Sequence, residues 1–382
     1  MATEKLYDSD AHRTAFTARV ISCEAGKHGW DVILDRTAFY PEGGGQLCDL
    51  GTLGGKAVTD VRERDGEIVH ACTGALSPGA QVEGEIDWER RFDLMQQHSG
   101  EHLVSGIIHR HFGFDNVGFH MGADFVTIDL SGELTEEQLR GVEDEANRAV
   151  WADTSTHIFW PGADELAALP YRSKKALTGA VRLVEFPGVD LCACCGTHVA
   201  RTGEIGLIKL FSAARFRGGT RVELLCGGRC LRYLGEILGQ NRRVSGLLSA
   251  KPLGTADAAE RMQHELTDLK YRLVRLEDQL FSRRAEELRG AGDVLLFEDG
   301  LSADAVRRLT ASVMETCGGR AAVFSPGEGG CKYAIGQSGG DLRSFTKAMN
   351  AALGGRGGGK PDFVQGSVAA EPDAVRAYFA AN

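Results

Sequence analysis

With 382 residues the chain exceeds one ordinary hydrophobic core, and its composition, 43% hydrophobic and 25% charged, excludes the disordered and fibrous classes. No apolar run reaches the roughly 18 residues of a membrane-spanning helix. Ten cysteines behind a polar N-terminus, MATEKLYDSDAHRT, which has no signal-peptide core, predict thiols or metal ligands in the cytoplasm and not disulfides. A net charge of −10 speaks at first sight against a nucleic-acid partner, but its distribution matters more than the sum. Arg215, Arg217, Arg221, Arg229, Arg232, Arg242 and Arg243 crowd one stretch. They make either a basic patch or a solvated face with acidic neighbours.

Residues 1–90 read as all-β. Stretches 16–23 and 30–35 alternate or run apolar, with glycine turn chemistry at 26–29 between them. Further strands are expected at 56–62, 67–71 and 81–87, separated by Asp65-Gly66 and Ser77-Pro78-Gly79. Short strands with frequent turns predict a small barrel. Within it stands FYPEGGGQ, with Gly43, Gly44, Gly45 and Gln46 in succession. Three glycines make a tight turn or let a backbone approach a phosphate or base closely.

Residues 91–228 form a second, α+β unit. A helix is expected at 93–111, apolar at Leu103, Val104, Ile107 and Ile108. His98 and His102 stand four apart and so share one helical face, one turn apart. A second pair with the same spacing is Cys194 and His198, in CACCGTH. Together they make a three-nitrogen, one-thiolate set that suits zinc. Cys192 and Cys195 crowd the second pair, and the Cys-x-x-x-His spacing favours Cys194. A helix at 135–150 opens with a capping box, Thr135 to Gln138. Strands are expected at 124–130, 156–160, 181–186, 207–213 and 220–225. Cys226 and Cys230 are a further four-spaced pair, read as core thiols or a second metal site.

Residues 229–290 are expected to be helical. A first helix spans 229–250 and breaks at Pro252 and Gly254. Met262, Leu266, Leu269, Leu273, Leu276 and Leu280 then follow at heptad a/d spacing. The stripe forms either an antiparallel hairpin or a homodimer seam. Residues 291–382 read as α/β, with strands at 293–297, 321–325 and 333–337 and helices at 302–316 and 343–353. The run 354–362 holds five glycines with Arg356 and Lys360, which suits a phosphate-cradling loop or a flexible linker.

QQHSGEHL followed by CACCGTH resembles the editing domain of alanyl-tRNA synthetase and its free-standing relatives, the AlaX proteins. FYPEGGGQ resembles the barrel that precedes the zinc domain in the longer AlaX proteins, and the 354–362 run resembles the glycine-rich loop of the DHH-associated domain. The resemblance therefore spans the chain in order: barrel 1–90, zinc-binding editing domain 91–228, helical hairpin or coiled coil 229–290, DHH-associated domain 291–382. It implies zinc held by His98, His102, Cys194 and His198, and hydrolysis of a wrong amino acid, Ser or Gly, from tRNA(Ala). It also implies no aminoacylation, since no ATP-binding synthetase core is read ahead of the barrel.

An alanine pocket cannot strongly reject glycine or one added hydroxyl, which calls for a second sieve. Candidates for contacting that hydroxyl are His120, Thr127 and Thr197, with Gly43, Gly44, Gly45 and Gln46 beside the pocket. Glu101 is the candidate general base, or else orients a ligand histidine or faces solvent. Arg356 and Lys360 are the candidate tRNA contacts. Two rival readings exist. His98-Ser-Gly-Glu101-His102 also fits the His-x-x-Glu-His pattern of inverzincin peptidases, which leaves CACCGTH unexplained. A non-catalytic tRNA-binding protein on the same fold is the other.

Overall fold

The computed structural model describes residues 2–27, 29–173 and 179–382. It is a mixed α+β structure that divides into two units, 1–240 and 241–382.

The first unit opens with six antiparallel strands. They are β1 (Ala15–Gly26), β2 (Gly29–Leu34), β3 (Gly51–Leu53), β4 (Lys56–Arg64), β5 (Glu67–Cys72) and β6 (Gln81–Ile86). They pair in the order β1-β2-β5-β4-β3-β6, and β6 pairs back onto β1, which closes the ring. Alternation explains the ring: β6 reads exposed-buried throughout, and its Val82 and Ile86 join Val20, Val32, Leu53, Val61 and Ile68 inside. Asp65 and Gly66 both take positive φ, 52° and 81°, at the hairpin between β4 and β5.

Helix α1 (Trp88–Phe112) leaves the ring directly. It starts five residues before the expected position because the Asp87 side chain accepts a hydrogen bond from the Arg90 amide (3.1 Å) and caps it. It ends at Gly113, in the left-handed region at φ 69°. The apolar spacing implied one buried face, but nearly every residue of 94–108 is buried. The polar faces survive burial because each finds partners. Gln97 exchanges two hydrogen bonds with the Cys226 backbone, both 2.8 Å. Gln96 bonds Glu204 O and the Gly228 amide, and Ser99 Oγ accepts from the Val199 amide.

A four-stranded antiparallel sheet packs on this helix. It comprises β7 (Asn116–Met121), β8 (Val126–Leu130), β12 (Ile208–Phe216) and β13 (Gly219–Cys226), in the order β12-β13-β8-β7. Helix α2 (Glu136–Trp151) carries the expected capping box at Thr135 and Gln138. A three-stranded sheet of β9 (His157–Phe159), β10 (Leu183–Phe186) and β11 (Asp190–Ala193) leads to the second ligand pair. Cys226 and Cys230 are buried thiols, both raised by burial. Several of the clustered arginines are paired: Arg221 with Asp129 (2.6 Å), Arg215 with Glu133 (3.0 Å) and Arg229 with Asp93.

The ring and α1 are joined by a buried ion pair. Arg91, fully buried, is bidentate to Asp49 and also donates to Ala11 O (2.7 Å) and Ala38 O (2.6 Å). Asp49 in turn accepts from the Tyr40 amide (2.5 Å). The pair therefore sets where the glycine segment after Tyr40 lies relative to α1.

Helix α3 (Gly227–Leu247) follows, and then α4 (Thr255–Glu287). The heptad residues of α4 are exposed, from 52% at Leu266 to 61% at Leu280. The last sheet runs β14-β15-β16-β18-β17. It is built from β14 (Gly292–Phe297), β15 (Gly318–Gly327), β16 (Gly330–Gln337), β17 (Arg356–Lys360) and β18 (Phe363–Val368). Helix α5 (Ala303–Cys317) covers one face and α6 (Arg343–Leu353) with α7 (Pro372–Ala381) the other. The expected glycine loop is thus an edge strand. Glycine serves close packing there: a Cβ at Gly357 would lie 2.3 Å from the Tyr333 hydroxyl and 2.4 Å from Gln365 O. Among the described residues no helix is long and apolar enough to cross a membrane.

Candidate metal centre

The two four-spaced pairs meet. His98 and His102 project from one face of α1, and Cys194 and His198 come from the segment after β11. One ligand atom from each lies within 4.8 Å of the others. Cys194 Sγ is 3.4 Å from His98 Nε2, and the His198 ring centroid is 4.6 Å from that of His98 and 4.9 Å from that of His102. All three histidines are at least 97% buried. Burying so many polar atoms costs several kcal/mol unless something pairs with them. Yet neither ring nitrogen of His198 has a hydrogen-bond partner among the described residues. A cation at the centre of the cluster would meet that deficit, and a donor set of three imidazoles and a thiolate fits one.

The helix histidines are held in the tautomer a metal needs. Gln46 Oε1 lies 3.1 Å from the Thr197 amide, which can only donate, so this atom is the acceptor. It also lies 2.8 Å from His98 Nδ1, which therefore carries the proton and leaves the Nε2 lone pair facing Cys194. Gln46 Nε2 closes the arrangement by donating to Thr197 Oγ1 at 2.7 Å. His102 Nδ1 donates to Asp190 Oδ2 (2.9 Å), and Arg172 braces that carboxylate with two hydrogen bonds of 2.7 and 2.9 Å. Such outer partners fix ring orientation and raise ligand basicity.

The electrostatics agree. Burial opposes the Cys194 thiolate, but the imidazoles of His98, His198 and His102 gathered round it hold it well below the usual thiol value. Burial drives His198 down to about 3, so it is neutral. Burial also opposes ionisation of Asp190, yet its bonds from His102 and Arg172 keep it below the ordinary carboxyl value. His102 is raised well above its usual value against burial, through Asp190 and Cys194. A cation entering the cluster would displace that proton. Of the three neighbouring cysteines, only Cys194 belongs to the four-residue cluster. Burial pushes Cys192 to about 11, and Cys195 is exposed.

A cavity of about 280 Å³ opens on the cluster, and Gly44, Glu101, Arg172, Cys192 and Cys195 contribute to its wall. Glu101 is the carboxylate among the described lining residues. It is buried, and Ser105 Oγ (2.5 Å) and Asn116 donate to its Oε1. Gly44, at φ 62°, borders the cavity, while Gly45 passes so close to Phe119 that a Cβ would lie 2.6 Å from its ring. Thr197 is fully buried behind Gln46. His120 is exposed on β7, paired with Thr127 of β8, and Phe119 stacks on His98 at 5.3 Å. Arg356 and Lys360 lie exposed in the second unit on β17. The sequence reading missed Asp190 and Arg172. Neither belongs to a recognisable motif: Asp190 opens β11, and Arg172 is bridged to Cys192 of that strand from outside the hairpin.

Comparison with known proteins agrees with this geometry. The family model described as "Threonyl and Alanyl tRNA synthetase second additional domain" matches residues 181–223, which carry Cys194 and His198. "tRNA synthetases class II (A)" matches residues 11–90, the strand ring. An alanine–tRNA ligase of Halobacterium salinarum is 34% identical over 98% of this chain, which spans only 43% of that protein's length. The alanyl-tRNA editing protein AlaX-L of Pyrococcus horikoshii is 28% identical over 97% of this chain and 96% of its own. The alanyl-tRNA editing protein Aarsd1-A of Xenopus laevis is 31% identical over 74% of this chain and 73% of its own. The chain belongs to the alanyl-tRNA editing protein family.

Proposed function

We propose that this protein is a cytoplasmic, zinc-dependent trans-editing hydrolase that removes serine, and to a lesser degree glycine, from mischarged tRNA(Ala). The observation that carries the reading is the four-residue cluster of His98, His102, Cys194 and His198, three of whose members line a cavity that Gly44 also borders. In the relatives' names the editing activity is written directly. Zinc at these four residues would polarise the ester carbonyl or lower the pKa of a water toward about 7. Glu101, anchored by Ser105 and Asn116, accepts the proton of the attacking water, and Asp190 with Arg172 keeps His102 oriented while charge develops. Gln46 and Thr197 hold His98 and fix the glycine segment, so that Gly43, Gly44 and Gly45 present backbone to the substrate. The barrel of residues 1–90 and the editing domain of 91–228 thus build the site together. The helical region 229–290 supplies self-association through its exposed leucines, and the C-terminal domain 291–382 supplies tRNA contacts through Arg356 and Lys360.

The test is single-turnover deacylation of Ser-, Gly- and Ala-charged tRNA(Ala), alongside metal analysis of the purified protein. We expect about one zinc per chain and Ser-tRNA(Ala) hydrolysed well ahead of the Ala-charged form. Equal rates on both would leave an unspecific esterase, and a casein digest without deacylation would favour the peptidase reading.

A further inference from the structure

A second cavity, of about 220 Å³, is lined by Gly43 and Gly44 of the glycine segment together with Tyr7, Tyr40, Trp160 and Arg182. It shares Gly44 and Cys195 with the metal cavity. At Gly44 nothing stands within 4 Å of where a Cβ would sit, so the sill between the two cavities is bare backbone. Together they fall in the roughly 300–1,000 Å³ range of small-ligand sites.

The lining has an unmet requirement. Arg182 is 94% buried, which is unusual for a cation without full pairing. One guanidinium nitrogen donates to Cys194 O at 2.7 Å. Its Nε has no hydrogen-bond partner among the described residues, with Asp8 Oδ1 no nearer than 3.6 Å. Beside it Trp160 leaves 49% of its surface exposed, and the guanidinium carbon is 5.9 Å from the indole centroid, at the outer limit of cation–π contact. Tyr7 and Tyr40, edge to face at 5.4 Å, complete an aromatic wall, and the Tyr40 hydroxyl donates to Gly43 O (3.2 Å). Lys5 is neutralised by Glu63 at 2.8 Å. The site therefore offers an exposed indole, a buried donor and carboxylates, with no surplus of positive charge. That chemistry suits a neutral nucleoside with hydroxyl and amino donors better than it suits a phosphate.

We infer that this cavity receives the 3′-terminal adenosine of the acceptor end, with its base against Trp160 and its aminoacylated ribose passing over Gly44 toward the metal cluster. The inference rests on the editing reading, in which the scissile ester sits on that ribose. A larger cleft, about 740 Å³, also borders the metal cavity, through Arg172 and Cys192. Its cations are already engaged: Arg172 with Asp190, and Arg110 with Glu145 and Gly188 O.

The test uses the trinucleotide CCA and its shortened form CC, titrated by calorimetry into the zinc-loaded protein. The native protein should bind CCA more tightly than CC. Trp160→Ala should weaken CCA binding about 5- to 150-fold, the effect of removing one stacking platform, and leave CC unchanged. Trp160→Phe should retain most of the affinity. On Ser-tRNA(Ala), Trp160→Ala should raise KM by a similar factor at unchanged kcat, the mark of lost ground-state binding. Equal binding of CCA and CC, or native CCA affinity in Trp160→Ala, overturns the inference. Tyr171 lines the larger cleft, so loss of CCA binding in Tyr171→Ala with retention in Trp160→Ala also overturns it, by moving the nucleoside there. If CCA binds at Trp160 but no charged tRNA is hydrolysed, the nucleoside site stands and the editing reading fails. Hydrolysis by Trp160→Ala at native KM would overturn the nucleoside site and leave the editing reading standing.

Discussion

Replacing Gln46 tests whether the ring and the metal helix form one site. Gln46 is fully buried and makes three hydrogen bonds: it accepts from His98 Nδ1 and the Thr197 amide and donates to Thr197 Oγ1. Gln46→Leu keeps the approximate volume and removes all three. Two buried N–H donors are then stranded, at roughly 1–3 kcal/mol each, part of which an entering water recovers. Unfolding of the first unit in urea should lose about 2–4 kcal/mol. The ring of His98 is also released from its tautomer, and loss of such a partner costs about 10- to 100-fold in metal affinity. Gln46→Glu keeps the acceptor for both donors and should retain most of that affinity. Competition against a chromophoric chelator measures it. Native metal affinity in Gln46→Leu would show that the orientation of His98 does not depend on the ring, and the coupling argument would fail.

Other expectations follow from the same contacts. Cys194→Ala should strip most of the metal while Cys195→Ala, at an exposed position outside the cluster, should not; equal occupancy in the two variants would mean the thiolate ligand is misassigned. Asp49→Ala leaves the Arg91 guanidinium buried without its counter-ion and should cost about 3–5 kcal/mol by urea midpoint. A shift well under 1 kcal/mol would show that Arg91 escapes to water. His70 is buried in the ring, donates from Nδ1 to Val32 O (3.0 Å) and is lowered by burial from 6.5 to about 4. Its contribution is complete above pH 6.5 and is lost as pH falls toward 4, where only the unfolded chain gains a proton above the folded value. The native protein should therefore lose up to about 3 kcal/mol more across that window than His70→Gln does. Parallel stability curves for the two proteins would refute the assignment.

The fold was readable where local chemistry dictated it. The strands of the ring, the capping box at Thr135 and the helix that ends at Leu353 all follow from alternation, caps and periodicity. The errors have tertiary causes. The apolar spacing of Leu103, Val104, Ile107 and Ile108 implies one buried face of α1, and Gln96, Gln97, Ser99 and Glu101 lie buried off it. They are buried because strand edges and loops far along the chain supply their hydrogen bonds, at separations of 100 residues or more for Gln96, Gln97 and Ser99. The run after residue 354 was expected as a loop because glycine is a poor strand former. It pairs with β18 as an edge strand, and close packing requires glycine at 357 and 359, where a Cβ would lie 2.3 Å from the Tyr333 hydroxyl and from Phe363 O respectively.

The same division holds in the site. The spacing of His98 and His102 was legible because four residues is one helical turn, a constraint written locally, whereas Cys194 and His198 lie in irregular chain and were legible as the CACCGTH string. What orients the ligands was not, because Gln46 reaches His98 across 52 residues and Asp190 reaches His102 across 88. Gln46 illustrates the difference most sharply. Its glycine-rich neighbourhood marked it as a contact for substrate, whereas its amide is spent on His98 and Thr197. The glycines and the glutamine therefore divide the work within one segment. Gln46 locks the segment to His98, the Tyr40 hydroxyl donates to Gly43 O, and Gly44 between them borders both cavities with open space where a Cβ would sit. A side chain at Gly44 would have to adopt φ 62° and project into that space, so Gly44→Asn, which tolerates the backbone, should fold and bind metal normally. It should slow deacylation through KM rather than through stability. Loss of metal in that variant would instead place Gly44 in the scaffold of the cluster.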